Sequence, residues 1–196
     1  MSQIDIHSNL TDALSAVGYE LLNANAGQAY TKLVVTGGGN AELLPRLKAV
    51  DPQELLTKNI TSQADADAML AGLWLWHDWL DPSHVISQDL KGETGSFWHA
   101  IMHRREGDFS NAKYWYARCR NHPVLQSMAP FANDVIHQQP ADKMFLRLVA
   151  RGWDPDVFVD LAEQLHDKPA DPRYPAAVAL QRIEWRLLFD HCTRSA

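Results

Sequence analysis

Residues 96–119 read SFWHAIMHRREGDFSNAKYWYARC, and this stretch decides the fold expected for the chain. The Gly107-Asp108 turn separates two segments of helical period, near 95–106 and 109–120. They are expected to run antiparallel. The small Ala112 permits close approach of the two helices, while Phe109, Ala112, Tyr116 and Cys119 form the buried stripe of the second.

Outward from this pair, most of the chain keeps a helical period. Leu10, Leu14, Val17, Leu21 and Leu22 make one stripe after Ser8 and Asn9, either of which can cap a helix. Asp51-Pro52 and Asp154-Pro155 each place a capping carboxylate before a first-turn proline. Ser62 caps a longer helix carrying Met69, Leu70, Leu73, Trp74, His77 and Leu80 on one broad face, with Asp81-Pro82 as its end. The last helix starts near Pro175 and turns Val178, Ile183, Leu187 and Leu188 inward. Only TKLVVTGGGN is strand-like. A loop or a poorly formed helix accounts for it equally, so the conformation of residues 28–40 stays open. The expectation is an all-α fold, a single helical domain over residues 1–196 built around the central hairpin at about 95–120.

The central segment has a second kind of order. The spacing of Gly107, Phe109, Ala112 and Tyr116 resembles the turn and second helix of a tetratricopeptide hairpin, over one hairpin with no 34-residue repetition. As FWHAIMHRREGDFSNAKYWY, the stretch also resembles a family of bacterial and fungal proteins that carry this histidine- and arginine-rich segment in the middle of a helical domain. The likeness extends more loosely to IEWRLLFDHC near residue 190. It implies the helical architecture and no particular activity.

A chain of 196 residues is long enough to bury a core without covalent staples. The formal net charge is −6, from 18 Lys and Arg against 24 Asp and Glu, and no nucleic-acid-binding motif occurs, which argues against nucleic acid as a partner. MSQIDIHSNL lacks the basic start and apolar run of a signal peptide, and no stretch is apolar enough for a membrane span. With Cys119 and Cys192 read as buried hydrophobes, a cytoplasmic location is expected. GxSxG, CxxC and HExxH are absent, and Gly37-Gly38-Gly39 lacks the Lys-Ser/Thr of a phosphate loop, so it reads as a flexible turn.

Chemistry-bearing residues concentrate between Trp74 and His122. Five of the seven tryptophans fall there, beside His77, His84, His99, His103 and His122. The rings fill a core or wall a pocket for a flat ligand or sugar face. His99 and His103 stand four apart on one helical face with Glu106 three further on, a spacing that can hold a divalent metal with help from His77 or His84. The alternative is neutral imidazoles bonded to Asp78, Tyr114 or backbone carbonyls. Arg104 and Arg105 either pair with Glu93, Glu106 and Asp108 or, with Phe97 and Ile101, face the concave side and bind an anion.

The leading functional expectation is a binding or scaffold module that uses Trp98, His99, His103, Arg104, Arg105 and Trp115 to hold a protein, a peptide, or a small anionic or sugar-like ligand. The alternative is a small-ligand enzyme, metal-dependent if a divalent ion sits on His99 and His103. No cofactor is otherwise implied, and the oligomeric state stays open.

Overall fold

A computed structural model describes residues 13–24, 26–139 and 142–196. Among them the chain forms α1 (Ala16–Asn23), α2 (Leu44–Ala49), a 3-10 turn (Pro52–Leu55), α3 (Gln63–Trp76), α4 (Leu80–Asp89), α5 (Glu93–Glu106), α6 (Phe109–Ala117), α7 (Pro123–Ile136), α8 (Lys143–Val149), α9 (Pro155–Leu165) and α10 (Tyr174–Ser195). No strand occurs among these residues, so the all-α expectation holds.

The predicted hairpin is α5 and α6. Gly107 ends α5 in the left-handed region at φ 91°, where a side chain would be strained. There its N–H donates to the Arg104 carbonyl while that of Asp108 donates to His103. The Asp108 carboxylate then accepts from the Asn111 N–H and starts α6. The second helix stops at Ala117, three residues short of the expected 120.

Helix α3 begins as expected, with the Ser62 hydroxyl accepting from the Asp65 N–H. It does not run to Leu80. It ends at Trp76, the chain reverses through Asp78 at φ 62°, and Leu80 opens α4. Asp81-Pro82 therefore starts a helix instead of ending one, because proline lacks only a donor that the first turn leaves free. Asp154 caps α9 and Asp51 caps the short 3-10 turn, while Ser15 caps α1. The expected caps Ser8 and Asn9, and Leu10, lie outside the described residues. Residues 31–40 are irregular, with Leu33 and Val35 buried and the Val35 N–H bonded to the Arg105 carbonyl at 2.7 Å.

Helices α3 and α5 form the centre, with α4 and α6 against α5 and α10 against α3 and α7. The lower part of α3 is buried on every side, as a central helix must be. The helices approach closely at Gly72, where a Cβ atom would lie 2.7 Å from the Trp98 ring. Trp76, Trp98, Trp185 and Phe189 fill the space around it. Each indole N–H is satisfied: Trp76 donates to the Leu22 carbonyl, Trp185 to that of Gly72, and Trp98 to the Cys192 sulfur at 3.5 Å. No helix among the described residues is long and apolar enough to cross a membrane.

Candidate functional site

Successive residues of α5 point to different surroundings, and this divides the candidate residues. Trp98, Arg104 and Arg105 turn into the core with no exposed surface, so they do not form the recognition face expected of them. Phe97 and Ile101 are likewise enclosed.

The two arginines also have unexpected partners. Arg104 Nη2 donates to Glu184 Oε2 at 2.6 Å, and its Nη1 donates to the Tyr116 hydroxyl. Tyr116 donates in turn to Glu184 Oε1 at 2.9 Å. Burial opposes the guanidinium charge, but the Glu184 carboxylate outweighs it and holds Arg104 above its ordinary range. Arg105 donates to the carbonyls of Leu75 and Lys32 and to Asp78 Oδ1, the last at 2.7 Å, with its guanidinium 3.8 Å above the centre of the Tyr30 ring. Burial pushes the Tyr30 hydroxyl up to about 12. The expected partners are engaged elsewhere in two cases: Glu106 meets His103 and Asp108 caps α6.

The opposite face of α5 carries the histidines. His99 and His103 stack with ring centres 4.6 Å apart, and His84 from α4 stands edge-on to both, at 4.8 and 5.4 Å. One ring nitrogen from each of the three lies within 4.8 Å of the others. His84 is half-buried, which puts the cluster at the edge of the fold. His103 Nδ1 lies 2.5 Å from Glu106 Oε1, and the Asn111 amide nitrogen lies 3.0 Å from His103 Nε2. His99 Nδ1 is buried without a protein partner. Burial, then the neighbouring His103 and His84, lowers His99 to about 4, leaving its imidazole neutral.

Helix α6 completes the surroundings. Trp115 stacks on His99 with centres 4.1 Å apart, and the exposed Tyr114 stands edge-on to Trp115 at 5.5 Å. Trp115 is thus a half-buried neighbour of the histidines and not part of the apolar centre. Neither Asp78 nor Tyr114 receives a hydrogen bond from these imidazoles; Asp78 belongs to Arg105, and the Tyr114 hydroxyl accepts from Arg118 at 3.4 Å, whereas the Ser87 backbone is a hydrogen-bond partner of His99.

His77 does not join the cluster. It lies at the end of α3, buried, with Nε2 unpartnered. Asn111, Tyr116 and Glu184 are the residues that sequence reasoning missed. Glu184 left a trace, since it interrupts the apolar stripe of α10 between Ile183 and Leu187.

Two further histidines set an acid limit on the fold. Burial lowers His77 and His122 from 6.5 to about 4. Between those values the unfolded chain binds protons that the folded chain refuses, so stability is present above pH 6.5 and falls as pH drops toward 4. The urea midpoint is expected to decline steadily across that window, and His122→Gln to reduce the slope. A midpoint independent of pH there contradicts the assignment.

Comparisons with protein-family models, curated proteins and solved structures give no match.

Proposed function

We propose that the protein holds a divalent first-row metal on His84, His99 and His103 and uses it on a small ligand. The supporting observation is the convergence of three imidazoles from two packed helices, with ligand nitrogens within 4.8 Å of one another. Two ligands on successive turns of α5 need no loop ordering, and α4 supplies the third from a rigid neighbour. Neutral imidazoles suit zinc, iron, nickel or copper. A three-histidine set leaves a coordination position for a ligand, and a metal held there supplies Lewis acidity.

The chain supports the set from outside. Glu106 accepts the Nδ1–H of His103, which fixes the ring and leaves the lone pair on Nε2, where a metal would take the place of the Asn111 amide donor. Trp115 covers His99 and limits its rotation. Tyr114 and Val85, exposed beside Trp115 and His84 in the chain, offer apolar surface to whatever approaches.

Elemental analysis of protein purified without a histidine tag tests the reading. About one equivalent of metal is expected, lost in His84→Ala, His99→Ala and His103→Ala but retained in His77→Ala and Asp108→Asn. Less than about 0.1 equivalent of every transition metal, with no thermal stabilisation on adding zinc, nickel, manganese or iron, returns the three rings to structural duty and the segment to the scaffold reading.

A further inference from the structure

A cleft of about 700 Å³ opens between the 28–43 segment and the end of α3, and none of the three clustered histidines lines it. This is a size in which small molecules are held. Its polar lining comes from Gln28, Lys32, Asn40, Glu42, His77 and Asp78.

The walls are held in an uncommon backbone conformation. Asp78 and Tyr30 are the non-glycine residues with positive φ among those described, at 62° and 57°. Arg105 fixes both neighbourhoods, through Asp78 on one side and through the Lys32 carbonyl and the Tyr30 ring on the other. Such strain persists only where surrounding contacts impose it, and it gathers at binding sites. The glycine run closes the cleft tightly: a Cβ atom on Gly39 would lie 1.8 Å from the His77 carbonyl oxygen, so only glycine fits.

The lining also states what it accepts. Lys32 and the underlying Arg105 balance Glu42 and Asp78, so a net charge on the ligand has no counterpart. The side-chain amides of Gln28 and Asn40 and the carboxylates of Glu42 and Asp78 offer both donors and acceptors. We propose that this cleft binds a small uncharged polyhydroxylated molecule, a sugar or polyol, through hydroxyl hydrogen bonds to Asp78, Gln28 and Asn40. This site stands independently of the metal proposal.

The test follows backbone amide NMR signals of the full chain during titration with glucose, ribose and myo-inositol up to tens of millimolar. Saturable shifts confined to Gly38, Gly39, Asn40 and their neighbours are expected with at least one of them. Gln28→Ala and Asn40→Ala, changes at the cleft surface, are expected to weaken that binding by about tenfold each, the loss of one good hydrogen bond. No saturable shift with any probe, shifts centred elsewhere, tighter binding of glycine or inorganic phosphate, or an affinity unchanged in both variants overturns the proposal.

Discussion

Glu184→Ala is expected to destabilise the fold by about 3–5 kcal/mol, because it strands the Arg104 guanidinium without its counter-charge in a site closed to water. Arg104 and Glu184 have no exposed side-chain surface, and Tyr116 bonds to both. Urea denaturation reads the loss directly. Removing both charges is expected to cost far less than removing either alone, so Arg104→Met combined with Glu184→Leu should recover most of the midpoint. A loss from Glu184→Ala below about 1 kcal/mol would show that the pair is solvated in solution.

Trp98→Ala carries the second large effect, about 3–5 kcal/mol, as the removal of an enclosed ring leaves a cavity that helices α3 and α10 cannot collapse into. Trp98 touches the α3 backbone at Gly72 and donates to Cys192, so its loss also opens both contacts. Trp115→Ala provides the contrast. That ring is half-buried and covers His99, so its removal is expected to cost less than about 2 kcal/mol and to loosen the histidine cluster instead. Equal losses from the two variants would contradict the assignment of one ring to the core and the other to the site.

The central hairpin was readable because its signals are local. Gly107, Asp108 and the Ala112 stripe act within a few residues of one another: the structure puts Gly107 and Asp108 at the turn and buries Ala112 and Tyr116 on α6, while Phe109 is half-buried and Cys119 lies past the helix end. The Asp81-Pro82 pair is ambiguous for a physical reason, since an acidic residue and a proline suit the first turn of a helix as well as they follow a helix end. The arginine partners were beyond reach: Glu184 lies 80 residues from Arg104, and no local rule selects it over Glu106 or Glu93. For the histidines, helical spacing alone united His99 with His103. Choosing His84 over His77 required the turn at Asp78, which sends α4 back along α5 and leaves His77 behind on α3.

Cys119 and Cys192 are both enclosed and both pushed up to about 12 by burial, so thiol reagents are expected to react slowly with the native chain. One follows α6 and the other lies under Trp98 on α10. Alkylation therefore reports opening and not surface chemistry, and the two labelling rates separate fraying of the hairpin from dissolution of the tryptophan centre. The protein thus contains its own pair of clocks for local and global unfolding.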